Sequence, residues 1–102
     1  MPEFLAERYQ SGLGLEDLKS EALRLTRAVA AMHQDGATIE FLGMTFLPGD
    51  EGVFAHFISA SEDLVARAHE LATLRFDRIV PVQPVELDRR VPAHRMTDRE
   101  GS

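Results

Sequence analysis

The chain has 102 residues, of which 44% are hydrophobic and 27% charged, so it has room for one globular domain. Its formal net charge of −6 argues against a nucleic-acid partner, because a phosphate backbone selects a basic surface. The lack of cysteine excludes disulfides, thiol catalysis and cysteine-ligated metals. With no apolar run long enough to span a bilayer and no signal peptide, the sequence predicts a soluble cytoplasmic protein with no membrane partner.

The first half of the chain predicts a strand, a helix and a second strand. Residues 4–9 are aromatic-rich and are followed by two glycines, as is typical of a short strand that ends in a turn. Residues 15–34 carry apolar side chains at spacings of three and four, which indicates an amphipathic helix. Residues 38–47 are apolar on both alternating faces, which predicts a strand that is covered on both sides.

The second half predicts a strand, a helix and a strand again. After a glycine-containing hairpin turn comes a return strand at residues 53–59. Residues 59–75 predict the second helix, for which Ser59 and Ser61 are alternative N-terminal caps. The last strand, residues 79–86, contains two prolines that cannot donate ladder hydrogen bonds, so we expect it at a sheet edge.

Two segments of different character make up the chain. Residues 1–87 contain all the predicted elements and form a single domain. Residues 88–102 have almost no apolar content and no periodicity, which predicts a flexible C-terminal tail. An arm that clasps a partner is the alternative interpretation of this tail.

The element order βαββαβ is that of the ferredoxin-like fold, in the α+β class. It predicts a four-stranded antiparallel sheet of strand order 4-1-3-2, with both helices on one face. Because two helices cover only one face, the second apolar face would be larger than the patches that monomers usually expose. We therefore expect a homodimer in which two sheets pair as a dimeric α/β barrel and enclose a ligand pocket.

One polar cluster is predicted on the second face. Alternation places Glu7, His56 and Glu40 across three adjacent strands, with Tyr9 at the rim and Met44 on the same face. A carboxylate beside an imidazole can orient it as a general base, and the same three groups can bind a divalent metal. This assignment depends on strand parity, since a slip of one residue swaps the faces.

Structural roles are the alternative for the same residues. His56 would then be a core histidine with satisfied hydrogen bonds, and Glu7 would pair with Arg8 or Arg78 at the end of the sheet. His69 lies on the second helix away from its predicted inner stripe, so we expect it to face solvent.

The two ends of the domain carry a family resemblance. Residues 4–9, Phe-Leu-Ala-Glu-Arg-Tyr, resemble the Y-x-V-E-R start of the small actinobacterial nickel-binding, ferredoxin-like proteins, a family otherwise known as a domain of unknown function. Residues 76–82 resemble that family's P-x-x-R-I-V-x-V ending. The resemblance implies a dimeric α/β barrel and the binding of a divalent metal such as nickel.

The chain departs from this family on its third strand, where the family usually reads Phe-Cys-x-Tyr-Glu-Ala. Ala55 and Ile58 stand in place of the cysteine and the glutamate, while His56 is particular to this chain. Replacement of polar ligands by apolar side chains favours a pocket suited to a hydrophobic small molecule.

Three functions are compatible with these observations. The first is a homodimeric protein that binds a small hydrophobic ligand or a divalent metal, the latter through His56, Glu7 and Glu40. The alternative is a cofactor-independent enzyme of the cyclase, isomerase or monooxygenase type, by analogy of fold alone. His56 would be its general acid/base, oriented by Glu7 or Glu40, and Tyr9 would donate a hydrogen bond. A purely structural or regulatory dimer is the third possibility.

Overall fold

A computed structural model of the protein describes residues 1–87, and the predicted tail at residues 88–102 lies outside them. The predicted element order is confirmed, and the first helix has the predicted bounds. No helix in the described part is long and apolar enough to cross a membrane. The elements are β1 (Glu3–Tyr9), α1 (Leu15–Gln34), β2 (Ile39–Leu47), β3 (Gly52–Ser59), α2 (Glu62–Ala72) and β4 (Arg78–Val82).

The four strands form one antiparallel sheet in the order β2-β3-β1-β4. This is the predicted strand order, so the ferredoxin-like α+β fold is confirmed. β4 lies at an edge of the sheet, as its proline predicts. Proline has no N–H to donate, and an edge strand has one side on which no donor is required. β4 ends at Val82, several residues before the predicted end.

The hydrophobic core lies between the two helices and one face of the sheet. Phe57 and Ile39 from the sheet, and Leu25 and Val65 from the helices, are each 0% exposed. Burial of side chains of this size stabilises the fold by roughly 1.5–3 kcal/mol each. Both helices contribute to this one cluster, so they cover the same face of the sheet.

The second helix is shorter at both ends than predicted. Leu64 N–H donates to Ser61 Oγ at 3.4 Å, so Ser61 is the cap of the two candidates. Ser59 ends β3, and its Oγ donates to the carbonyl of Ser61 at 2.8 Å. At the other end Thr73 adopts a left-handed conformation, with φ of 56°, and caps the helix, whose last residue, Ala72, lies three residues before the predicted end.

A β-bulge interrupts β2 and changes which side chains share a face. The pairing with β3 shifts between Phe41 and Gly43, so Leu42 is an extra residue beside the Gly43–His56 pair. Gly43 has φ of 129°, a backbone conformation that L side chains rarely adopt. Because the bulge inverts the alternation, Met44 packs against the core. The prediction that Met44 shares the face of His56 is therefore wrong.

Candidate functional site

The face of the sheet away from the helices is called the open face below. Neither helix packs on it, since both contribute to the core on the opposite side. The strand registers and the bulge determine its members. They are Glu3, Leu5, Glu7 and Tyr9 of β1; Glu40, Leu42, Thr45 and Leu47 of β2; Phe54, His56 and Ile58 of β3; and Arg78, Val80 and Val82 of β4.

The three residues of the predicted polar cluster do share the open face. Glu7 pairs with Phe54, two residues before His56, and Glu40 pairs with Ile58, two residues after it. Side chains two residues apart on a strand point to the same face, so the three lie across β1, β3 and β2. Both carboxylates are diagonal rather than direct neighbours of His56 on this face.

Hydrogen bonds divide the polar residues of the open face into two separate pairs. His56 Nε2 lies 2.9 Å from Thr45 Oγ1, so the imidazole is held by a hydroxyl. Arg78 Nε donates to Glu7 Oε1 at 2.8 Å, which makes Arg78 the partner of Glu7. The hydrogen bond from Arg78 to Glu7 raises the pKa of the Arg78 guanidinium. Sequence reasoning did not identify Thr45, because the bulge brings it onto this face.

The remaining candidates differ in exposure. Glu7 is 6% exposed, although it lies on the open face, and Glu40 is exposed on the edge strand. Tyr9 is half exposed and contacts the ring of Phe54 edge to face, with ring centroids 6.2 Å apart. The Tyr9 ring lies over Gly52, where an added Cβ would approach it to 3.0 Å. Tyr9 therefore stands at the rim of the open face.

The chemistry of the open face fits a divalent metal poorly within one subunit. Among residues 1–87, no group of three or more His, Asp or Glu side chains is placed to hold a metal ion. The ion pair with Arg78 also puts a positive charge beside Glu7, which disfavours a second cation there. Residues 1–87 of one subunit therefore do not by themselves provide a metal site on this face.

A second polar cluster lies on the opposite face, inside the core. Arg8 Nη2 donates to both carboxylate oxygens of Glu21, at 2.7 and 3.0 Å, and thereby joins β1 to α1. The two side chains are only 6% and 11% exposed. Sequence reasoning missed this pair, yet it carried a signal: Glu21 follows Leu18 by three residues and precedes Leu25 by four. Glu21 therefore occupies a position on the apolar stripe of α1.

His69 belongs to the same buried region, so the prediction that it faces solvent is wrong. It is 4% exposed and lies between the rings of Phe57 and Phe76, with centroids 5.6 and 5.3 Å away. Its Nδ1 is 2.9 Å from the carbonyl of Val65 and must donate, because a carbonyl only accepts. A hydropathy pattern treats histidine as polar. Here the faces of the imidazole ring contact aromatic rings, and its Nδ1–H donates to a carbonyl. Leu71, which an apolar stripe on the same helix would also place in the core, is half exposed instead.

The burial of His69 predicts a dependence of stability on pH. Desolvation lowers the pKa of His69 below its ordinary value of 6.5. Below about pH 6.5 the unfolded chain therefore binds more protons than the folded one. The free energy of unfolding is greatest above this pH and declines as the pH falls below it. We expect the free energy of unfolding, measured with urea, to decrease between about pH 7 and 5.

His69→Asn and His33→Asn are the matched variants for this measurement. Asparagine keeps a donor near the position of Nδ1 but does not titrate, so the decrease should become shallower in His69→Asn. His33 is exposed at the end of α1, and His33→Asn should retain the wild-type decrease. Equal slopes in wild type and His69→Asn would show that His69 is not responsible.

Comparison with known proteins supports the fold. No protein-family model matches the chain, and no curated protein matches it significantly. Among solved structures, the chain is similar to SCO4226 from Streptomyces coelicolor A3(2), with 20% identity and a TM-score of 0.63. The match covers 82% of this chain and 99% of that one. At this identity the similarity establishes a shared ferredoxin-like fold, and the resemblance to the nickel-binding family is supported only to that extent.

Proposed function

We propose that this protein is a homodimer that binds a small hydrophobic molecule between the open faces of its two copies. The observation that carries the proposal is the open face itself, which presents apolar side chains from all four strands and is covered by neither helix. Leu42 is 51% and Leu47 41% exposed there. An apolar sheet surface of this kind is typical of an interface or a ligand site.

The make-up of the open face favours a mostly apolar ligand with one hydrogen-bonding group. Leu5, Phe54 and Ile58 are only partly buried and would form the floor of the pocket. His56 lies among them and offers a nitrogen to a polar atom of the ligand. Such a ligand would bury its body against the apolar floor and direct its polar atom at the imidazole.

The departures from the nickel-binding family bear on this choice unequally. Ala55, in place of the family's cysteine, is 3% exposed and belongs to the core. Ile58, in place of its glutamate, lies on the open face opposite Glu40. Only the change at Ile58 therefore makes the open face less suited to a metal and more suited to an apolar ligand. Nickel as the ligand, in place of a hydrophobic molecule, is supported by the family resemblance and by nothing else on this face.

An enzyme is the second candidate, and the His56–Thr45 hydrogen bond favours it. This contact holds the imidazole in one orientation on the face where a ligand would bind. His56 would act as general acid/base toward a hydrophobic substrate, oriented by Thr45 rather than by a carboxylate. Glu7 is paired with Arg78 and would stabilise charge at the pocket wall, while Tyr9 would donate a hydrogen bond from the rim.

Sedimentation combined with a neutral fluorescent dye tests the proposal. We expect the wild type to sediment at twice the chain mass of 11.4 kDa. N-phenyl-1-naphthylamine should bind saturably, and its binding should fall in step with the dimer fraction on dilution. A protein that stays monomeric at high concentration, or dye binding that is independent of association, would contradict the proposal.

A nickel arm of the same experiment separates the metal version from the apolar one. Wild type and His56→Ala are dialysed against Ni²⁺, and bound metal is measured by elemental analysis. We expect no stoichiometric nickel that depends on His56, because Glu7 already pairs with Arg78. Retention of one nickel per dimer by the wild type, and its loss in His56→Ala, would instead support a metal as the ligand.

A further inference from the structure

A small cavity lies between the helices and the core face of the sheet. Its polar lining residues are Arg8, Glu21, His69 and Arg75, and its volume is about 10 Å³. That is enough for about one water molecule and too little for an organic ligand. The remaining wall is largely apolar and includes Leu25, Val53, Ala55 and Phe76.

Arg8, which lines this cavity, carries an unsatisfied donor. Its Nη2 donates to Glu21, and its Nη1 reaches the carbonyl of Arg75 at 3.5 Å. Its Nε is buried and has no hydrogen-bond partner among residues 1–87. Arg8 is 5% exposed, so bulk water does not supply that partner. A buried donor left unpaired is destabilising, and more so when it is charged.

The charges around the cavity select the occupant. The carboxylate of Glu21 repels an anion, and the guanidinium of Arg8 repels a cation. His69 donates through Nδ1, and burial lowers its pKa, so its Nε2 is an unprotonated acceptor. Arg75 also lines the cavity, but its guanidinium is paired with Asp77 at 2.8 Å. The lining residues thus offer a donor without a partner, an acceptor and balanced charges, which suits a neutral molecule that can both accept and donate.

We propose that the cavity holds one ordered water molecule, which accepts a hydrogen bond from Arg8 Nε–H and donates one to His69 Nε2. The water joins β1 to α2, just as the ion pair of Arg8 with Glu21 joins β1 to α1. The site is on the opposite face of the sheet from the proposed ligand pocket and does not depend on dimerisation.

The test observes the Arg8 Nε–H proton directly in the ¹⁵N-labelled full-length protein. Rotating-frame nuclear Overhauser spectra should show a cross-peak between this proton and a long-lived water. Arg24 is the internal control, because its Nε–H donates to the carbonyl of Ala72 at 2.9 Å. The Arg24 proton should show no such cross-peak. A crystal structure of the same protein should place a water about 2.7–3.2 Å from Arg8 Nε.

Two variants make the outcome decisive. Ala55→Val adds carbon to the cavity wall and should remove the cross-peak of Arg8 Nε–H. His69→Phe removes the acceptor, so the water should be lost or should remain for a much shorter time, and the cross-peak of Arg8 Nε–H should weaken or disappear. The proposal is overturned if wild-type Arg8 Nε–H shows no bound water, if it bonds directly to a protein group, or if an ion occupies the cavity.

Discussion

Replacing Glu21 with leucine is expected to lower the free energy of unfolding by about 3–5 kcal/mol. The substitution leaves the guanidinium of Arg8 in the core without a counter-charge, and both side chains of the pair are almost fully buried. For a domain of this size, such a loss lowers the midpoint of thermal unfolding by more than about 10 °C. Urea denaturation of the wild type and the variant at neutral pH measures it.

A double-mutant cycle separates the charge from the packing at this site. Arg8→Met alone should also be strongly destabilising, because it leaves Glu21 buried and unpaired. The double variant with Arg8→Met and Glu21→Leu buries no charge, so it should be more stable than either single variant. Lys19→Met, which breaks the exposed pair with Glu16, should leave stability unchanged within error. If Glu21→Leu is no worse than Lys19→Met, the assigned role of the buried pair is wrong.

Replacing Leu42 with aspartate is expected to weaken the proposed dimer by about 100-fold or more. Burial of a leucine at an interface is worth roughly 1.5–3 kcal/mol, and a twofold interface loses it twice. Each 1.4 kcal/mol corresponds to about a tenfold change in the dissociation constant. The introduced carboxylate adds a desolvation penalty in the paired sheets. Binding of N-phenyl-1-naphthylamine should be lost in parallel.

Leu71 provides a matched control for this substitution. Leu42 is 51% and Leu71 52% exposed, but Leu42 is on the open face and Leu71 on α2, on the opposite side of the sheet. Leu71→Asp should therefore sediment as the wild type does and bind the dye equally well. Equal behaviour of the two variants would contradict pairing through the open face. Circular dichroism of both variants confirms that neither result comes from unfolding.

Much of the fold could be predicted from local patterns. The bounds of α1 at Leu15–Gln34 were predicted correctly, because an amphipathic helix repeats its period over many residues. The edge position of β4 followed from its proline, because the lack of an N–H donor is a property of that residue and does not depend on the residues around it. The face of Met44 could not be obtained this way, since one extra residue in β2 reverses the alternation. An isolated glycine in a strand, here Gly43, was the available signal for that bulge.

The candidate site was predictable in part. Strand alternation placed Glu7, His56 and Glu40 on one face, and the registers agree. The sequence offered Arg78 as one of two partners for Glu7 but could not choose between them, and it gave no partner for His56. A hydrogen bond of this kind depends on which strands meet in space. Glu7 bonds Arg78, 71 residues away, and His56 bonds Thr45 on the neighbouring strand, two residues past the bulge.

The sequence by itself determined the order of the elements, the fold class and the existence of two apolar sheet faces. Each of these depends on local periodicity and composition, which are properties of consecutive residues. The tertiary structure decided that Arg8, Glu21 and His69 form a buried polar cluster and that Thr45 holds His56. The contacts of Arg8 with Glu21 and of Thr45 with His56 join separate elements. A polar group is tolerated in a core only where it finds a hydrogen-bond partner, and here the tertiary structure supplies it.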